Sequence, residues 1–143
     1  MLFLKEMPFL TKKFTFCAAH QYGHKEWTEE KNTKIFGADA RMHGHNYDLE
    51  VTVTGPINEE TGFVADLGLL KKIVNDKVIN IIDHSTIEKD IPWFANRQPS
   101  TELMVIWIWE QIEPALTNDI KLIRIRLRET PTIYTDYYGP RNE

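Results

Sequence analysis

Two histidines separated by a single residue, His43 and His45, open a segment in which apolar and polar residues alternate. The alternation continues to residue 54 and predicts a half-buried β-strand, on which side chains two positions apart share a face. Both imidazoles should therefore leave the sheet on the same side. His20 ends an earlier strand-like run that begins at Phe14, and it can supply a third nitrogen from a neighbouring strand. The pattern thus predicts a sheet on which three imidazoles can meet.

Three imidazoles without a fourth protein ligand are typical of an open zinc site, in which one coordination position stays free for chemistry. The alternative is that these are ordinary surface or core histidines without a metal, because strands also carry such pairs by chance. The spacing alone leaves both interpretations open. It also leaves the class of chemistry open, since an open three-histidine zinc site is compatible with activation of water for hydrolysis or CO₂ hydration.

The composition indicates one globular domain spanning residues 1–143, with 42% hydrophobic and 27% charged residues. The formal net charge is −4 and no dense cluster of Lys and Arg occurs, which argues against a nucleic-acid groove. The apolar runs are too short for a membrane span, and the first eight residues do not resemble a signal peptide. A single cysteine, Cys17, cannot form an internal disulfide, so a reducing, cytoplasmic setting is expected.

Periodicity and turn signals predict four strands and two helices in the order ββααββ. The strands are predicted over 9–20, 43–54, 119–129 and 132–138. The helices are predicted over 67–81, capped by Asp66, and from Ser100 or Thr101 to Pro114. The segments 21–42 and 82–99 are predicted to be irregular, and a loop as long as 21–42 is usually functional. These elements predict an α+β fold with two helices on one face of an antiparallel four-stranded sheet.

The same periodicity assigns side chains to faces. The first helix is predicted to bury one stripe, formed by Leu67, Leu70, Val74, Val78 and Ile81. The third strand is predicted to carry Ile123, Ile125, Leu127 and Glu129 on one face, opposite Arg124, Arg126 and Arg128. A carboxylate on an apolar face needs hydrogen-bond donors, which a ligand or solvent at the strand end would supply. The second helix is apolar almost all round, which indicates burial by oligomerisation or by a deeper core. Cys17 is expected to be a small buried hydrophobe.

Six motifs, taken in their order along the chain, resemble the 6-pyruvoyl-tetrahydropterin synthase family, which includes the bacterial 6-carboxy-tetrahydropterin synthases of queuosine biosynthesis. They are Phe16-Cys17-Ala18-Ala19-His20, His43-Gly44-His45-Asn46-Tyr47, the run from Thr61 to Leu67, Asp83-His84, Ser100-Thr101-Glu102, and Glu129. The resemblance implies a tunnelling fold (T-fold), in which the sheets of several subunits form a barrel. It also implies a homo-hexamer, built as a dimer of trimers, with active sites between subunits.

The resemblance further implies Zn²⁺, held by the three histidines, and 7,8-dihydroneopterin triphosphate as substrate. It implies that His84, oriented by Asp83, transfers protons, and that Glu129 anchors the pterin ring. From the residues alone, Asp83-His84 is also explained as a helix C-terminal pair. The start of the second helix is implied to contribute substrate contacts through Thr101 and Glu102, which are equally explained as first-turn helix residues.

One position departs from the family. Most members carry a catalytic cysteine shortly before the His-Gly-His motif, and Asp39 stands where that cysteine is expected. Aspartate, with a pKa near ~4 in water, is a weaker base than a thiolate. One branch of the family carries a glutamate there and cleaves the side chain to 6-hydroxymethyl-dihydropterin for folate synthesis. The sequence therefore leaves three functions open: a zinc-dependent lyase that uses Asp39, side-chain cleavage of that second kind, and a pterin-binding homologue without catalysis.

Overall fold

The computed structural model describes residues 6–117 and 119–141, so the ends of the predicted domain, 1–5 and 142–143, lie outside the described residues. In the two described ranges, four antiparallel strands form one sheet in chain order: β1 (Leu10–His20), β2 (His43–Thr54), β3 (Lys121–Thr130) and β4 (Ile133–Tyr137). The predicted α+β fold with a four-stranded antiparallel sheet is confirmed. The strand ends differ from the predicted ones by only one or two residues, which is the usual uncertainty at element ends.

Within the described residues, five α-helical segments accompany the sheet: α1 (Glu29–Phe36), α2 (Leu67–Val74), α3 (Asn80–Ile82), α4 (Ile87–Asp90) and α5 (Thr101–Ile112). A π-helical turn over Asn75–Ile79 joins α2 to α3, so the predicted first helix is present and ends at Ile82. The Ser100 side chain accepts a hydrogen bond from the Leu103 N–H and caps α5. Pro114 lies in the 3₁₀ turn that follows this helix.

The prediction of an irregular segment over 21–42 is wrong in part, because α1 and a 3₁₀ turn over Gly37–Ala40 lie within it. Thr28 caps α1 by accepting a hydrogen bond from the Lys31 N–H at 3.1 Å. No residue of α1 is buried, so the helix carries no apolar stripe that a periodicity search could detect. The segment 82–99 likewise contains α4 and a 3₁₀ turn over Pro92–Phe94.

The core lies between the helices and one face of the sheet. Its sheet side consists of alternate residues on the three long strands: Phe14, Phe16, Ala18, Tyr47, Leu49, Val51, Val53, Ile125 and Leu127. Its helix side includes the stripe Leu70, Val74, Val78 and Ile82. The predicted stripe was therefore wrong at its two ends, because Leu67 and Ile81 are exposed. The helix continues one residue further than predicted, and the four-residue spacing carries the stripe to Ile82 instead.

Two further side-chain assignments are corrected. A register shift between Thr52 and Val53 of β2 displaces one residue of β3, so Leu122 is buried while Ile123 is only half-buried. A β-bulge of this kind moves the following side chains to the other face and cannot be read from alternation. Cys17 is exposed, because the alternation that buries Phe16 and Ala18 places it on the opposite face of β1.

The apolar surface of α5 is largely covered within the single chain. Seven of its twelve residues are buried: Thr101, Met104, Val105, Trp107, Ile108, Trp109 and Ile112. Of the two explanations that the sequence left open, the deeper intramolecular core therefore accounts for most of this surface. Within 6–117 and 119–141, no helix combines the length and the apolar character that crossing a bilayer requires.

Candidate metal centre

The three histidines lie together at one end of the sheet. β1 and β2 are antiparallel, with His20 paired to His43 and Ala18 paired to His45. The ring centroids of His20 lie 4.5 Å from His43 and 5.1 Å from His45, and His43 and His45 are 5.1 Å apart. Each ring offers one nitrogen, and these three atoms all lie within 4.8 Å of one another. The arrangement follows from the register and from the two-residue period of β2.

Backbone carbonyls fix the orientation of two of the rings. Nδ1 of His20 lies 2.8 Å from the Pro99 carbonyl oxygen, and Nδ1 of His43 lies 2.7 Å from the Arg41 carbonyl oxygen. A carbonyl oxygen only accepts, so each Nδ1 carries the hydrogen and each Nε2 presents its lone pair. This is the outer-shell arrangement that commonly orients histidine ligands of metals.

The chemistry of these nitrogens fits a metal ion. Nε2 of His20 is buried and has no hydrogen-bond partner within the described part of the chain. Nε2 of His45 is also buried, and Oε1 of Glu129 lies 3.1 Å from it without the geometry of a hydrogen bond. Burial lowers the pKa of His20 to about 4, so this ring is neutral near pH 7, as a metal ligand must be. A buried acceptor without a hydrogen-bond partner is uncommon in proteins, and a set of three imidazole nitrogens suits zinc and related transition metals.

Two carboxylates adjoin the cluster. Oε1 of Glu129, at the end of β3, lies 3.1 Å from Nε2 of His45, and both side chains are mostly buried. Oδ1 of Asp39, in the 3₁₀ turn before β2, lies 3.8 Å from Nε2 of His43, and its side chain is 66% exposed. The structure thus brings both carboxylates next to the imidazoles, with Glu129 mostly buried and Asp39 open to solvent.

Asp83 and His84 lie elsewhere, beside the outer edge of β1. Oδ1 of Asp83 accepts a hydrogen bond from the Cys17 N–H at 2.9 Å, and Oδ2 lies 3.0 Å from Nδ1 of His84. The Cys17 N–H is the main reason that the pKa of Asp83 lies below its usual value. The His84 side chain is 81% exposed, with its backbone at a φ of 63°. Among the described residues, no hydrogen bond, ion pair or ring contact joins this pair to the three-histidine cluster.

Thr101 and Glu102 lie at the start of α5. The Thr101 hydroxyl is buried, donates to Oε1 of Glu102 and pairs with the Thr135 hydroxyl of β4, both at 2.8 Å. These bonds connect α5 to the edge strand β4. The Glu102 side chain is exposed, so it remains free to accept further donors.

Sequence reasoning missed two tyrosines at the site. The Tyr47 ring is fully buried, lies 5.6 Å from the His45 ring, and has a hydroxyl without a hydrogen-bond partner among the described residues. The Tyr22 ring lies 5.1 Å from the His20 ring and stacks on Phe36. Burial, followed by the nearby Glu129 charge, raises the pKa of both hydroxyls. Tyr47 follows His45 by two residues on the same strand, so the alternation could have placed it on the face of the histidines. No pattern in residues 21–42 indicated that Tyr22 lies at the site.

Residues 9–140 match the protein family described as 6-pyruvoyl tetrahydropterin synthase. A 6-pyruvoyl tetrahydrobiopterin synthase of Drosophila melanogaster is 34% identical over 134 residues, which cover 92% of this chain and 80% of that protein. A dihydroneopterin monophosphate aldolase of Pyrococcus furiosus is 36% identical over 115 residues, covering 80% of this chain and 83% of the relative.

A solved structure shows the same fold. The 6-pyruvoyl tetrahydropterin synthase of Caenorhabditis elegans superimposes with a TM-score of 0.88 at 27% sequence identity. The superposition covers 98% of this chain and 100% of that one. The similarity therefore extends over the sheet, the helices and the end of the sheet that carries the three histidines.

Proposed function

The chain belongs to the 6-pyruvoyl tetrahydropterin synthase family, and on that basis we propose a zinc-dependent lyase that acts on the side chain of 7,8-dihydroneopterin triphosphate. The relatives named above are lyase-type enzymes that act on pterins, and they support the assignment of this chain to the pterin lyases. The proposal of zinc and of this substrate rests on one observation, which is the cluster of His20, His43 and His45 with the carboxylates of Glu129 and Asp39 beside it.

Zinc is the metal that we propose for the cluster, held by Nε2 of His20, His43 and His45. When bound, it would supply Lewis-acid stabilisation of negative charge that develops on the oxygens of the substrate side chain. The protein contributes the orientation of two ligands, through the Pro99 and Arg41 carbonyls, and it buries His20 fully and His45 mostly. Because no fourth protein ligand is present among the described residues, room remains for the substrate.

Glu129 is proposed to anchor the pterin ring. The 2-amino group and a ring N–H of a pterin form a planar pair of donors, which one carboxylate can accept in a bidentate manner. Glu129 is mostly buried on the apolar side of β3 and points at the cluster. A ring held there would place its side chain beside the metal ligands. Thr101 and Glu102 are proposed as further contacts at the start of α5.

Asp39 is proposed to be the base that removes a proton from a carbon of the substrate side chain. The resemblance to the family implies that Asp39 stands where most members carry a cysteine, and its Oδ1 lies 3.8 Å from Nε2 of the proposed ligand His43. Its carboxylate is exposed, so a substrate bound at the cluster could reach it from solvent. A positioned carboxylate can act in this role even though its basicity is lower than that of a thiolate.

The Asp83–His84 pair is proposed to act in the site of a neighbouring copy. It does not contact the cluster of its own chain, and the His84 ring projects into solvent from the sheet edge. Asp83, held by the Cys17 N–H, fixes one imidazole nitrogen and leaves the other to carry a proton. This arrangement supports a homo-oligomer, which we propose to be a hexamer built as a dimer of trimers with sites between subunits.

Substitution of Glu129 by glutamine is expected to raise KM for the pterin by roughly 10- to 100-fold, because an uncharged amide replaces a charge-assisted bidentate acceptor. Zinc content should stay at the wild-type level, since the three imidazoles are intact. Steady-state kinetics and metal analysis on the same preparations provide the measurement. Glu110→Gln, at an exposed position on α5, is the matched control. An unchanged KM in the Glu129 variant would remove this residue from the pterin site.

A second activity is favoured by one observation, the similarity to a dihydroneopterin monophosphate aldolase. That activity would cleave the side chain and leave a 6-hydroxymethyl-dihydropterin. A binding protein without catalysis is the third possibility, and it would bind pterins without converting them.

Incubation of zinc-loaded protein with 7,8-dihydroneopterin triphosphate, followed by chromatography of the pterins, separates these functions. A 6-pyruvoyl or 6-carboxy product is the expected result. A 6-hydroxymethyl product would identify the cleaving activity instead. An unchanged substrate would reject the proposed lyase reaction.

A further inference from the structure

The Gln98 side chain holds both main-chain groups of a distant glycine. Its Oε1 accepts a hydrogen bond from the Gly23 N–H at 3.0 Å, and its Nε2 donates to the Gly23 carbonyl oxygen at 2.9 Å. Gln98 is half-buried and lies in the loop that leads into α5. A primary amide is the side-chain group that offers an acceptor and a donor side by side without charge, so few replacements can reproduce this contact.

The segment that Gln98 holds is in turn bonded to the turn that carries Asp39. The Tyr22 N–H donates to the Asp39 carbonyl oxygen at 3.0 Å, and Nε2 of Gln21 donates to the Ala40 carbonyl oxygen at 2.8 Å. Residues 21–23 therefore connect Gln98 to residues 39–40 through hydrogen bonds of ordinary length. The position of the Asp39 main chain depends on where this short segment lies.

A second amide supports the segment from the other side. Oδ1 of Asn32 accepts from the His24 N–H at 2.9 Å, and its Nδ2 donates to the His24 carbonyl oxygen at 3.1 Å. Asn32 belongs to α1, which lies with His24 between β1 and β2, so these two hydrogen bonds are internal to the connection between the two strands. Gln98 instead lies outside the connection between β1 and β2, and it joins this connection to the loop before α5.

The loop of Gln98 also orients a metal ligand, because the next residue, Pro99, accepts the hydrogen bond from Nδ1 of His20. One short stretch of chain thus sets the orientation of His20 and, through Gly23, the place of Asp39. Asp39 and His20 belong to different elements of the fold. Because the loop with Gln98 and Pro99 is connected to His20 by a hydrogen bond and to Asp39 through residues 22–23, it would keep the distance between them constant.

We propose that Gln98 is a positioning residue, which holds Asp39 at its place beside the three-histidine cluster through Gly23 and Tyr22. The proposal rests on the function proposed above, in which Asp39 is the base. A displacement of about 1 Å of a reacting group can lower a rate by about 100-fold. Loss of the Gln98 contact should therefore affect the chemical step more than substrate or metal binding.

The test compares Gln98→Leu, which removes both hydrogen bonds, with Gln111→Leu, the same change at a half-buried position on α5. Gln98→Leu is expected to lower kcat by about 10- to 100-fold, with zinc content and KM unchanged. Gln111→Leu should retain wild-type kcat. The decisive readout is a double-mutant cycle, in which Gln98→Leu should have no further effect on the residual kcat of Asp39→Asn.

A wild-type kcat in Gln98→Leu, or an equal loss of kcat in both backgrounds, would overturn the proposal. If the wild-type protein converts no pterin, the proposed function fails, and amide hydrogen exchange then decides whether Gln98 positions the Asp39 turn. Loss of protection at the Tyr22 N–H in Gln98→Leu, with His20 still able to bind zinc, would support the positioning role. Unchanged protection there would overturn it.

Discussion

Replacement of Asp39 by asparagine is expected to lower kcat on 7,8-dihydroneopterin triphosphate by about 10²- to 10⁴-fold, the range that a positioned general base contributes. Asparagine has the same shape and cannot take up a proton, so the change removes the basic function and leaves the 3₁₀ turn around it in place. Zinc content should not change, because Asp39 is exposed, with its Oδ1 3.8 Å from Nε2 of His43, and does not belong to the group of three residues proposed as ligands. Steady-state kinetics on zinc-loaded protein measure the effect.

The control for this change is Asp119→Asn, an exposed aspartate just before the start of β3, at the end of that strand opposite Glu129. It should retain full activity. Asp39→Cys is informative in addition, because it introduces the residue that the family resemblance predicts at this position. If wild-type protein is inactive and Asp39→Cys is active, the natural chain is a pterin-binding homologue that lost catalysis with its cysteine. An unchanged kcat in Asp39→Asn would exclude Asp39 as the base.

Substitution of His45 by alanine is expected to reduce zinc affinity by more than the roughly 10- to 100-fold that loss of an outer-shell partner causes. The change removes one of the three proposed ligand nitrogens and leaves the buried Nε2 of His20 with a single imidazole neighbour. Turnover should fall to background, since both the Lewis acid and the geometry of the site depend on the metal. Metal analysis after dialysis against a weak chelator, together with kinetics, measures both effects.

His24→Ala is the matched control for metal content, because His24 lies outside the cluster and its ring contacts Trp27 and Phe36. It should bind zinc as the wild-type protein does. Retention of stoichiometric zinc by the His45 variant would contradict the assignment of this residue as a ligand. Equal loss of zinc in both variants would place the metal elsewhere.

The strands could be predicted from the sequence because their burial is one-sided. Alternation over residues 43–54 placed His43, His45, Tyr47 and Leu49 on one face, and the register with β1 then put His20 opposite His43. The same reasoning placed Glu129 on the face of Leu127 at the end of β3. The site is predictable to this extent because the two-residue period of a strand relates sequence directly to side-chain direction.

The elements that escaped prediction lack such a period. Helix α1 buries no residue, so its caps at Thr28 and Gly37 were its main signals. The contact of Gln98 with Gly23 joins residues 75 positions apart, and no local pattern encodes it. The separation of Asp83 and His84 from the cluster is likewise a tertiary result, because it depends on how residues 83–86 run along the edge of β1.

The central claim is that one zinc ion is bound by His20, His43 and His45 next to a pterin anchored by Glu129. An anomalous-difference map, collected at the zinc absorption edge from crystals grown with zinc and a dihydropterin, tests this claim most directly. We expect one strong peak per chain within bonding distance of the three Nε2 atoms, with the Glu129 carboxylate facing the pterin ring. Absence of a peak there, or a pterin bound away from Glu129, would contradict the claim.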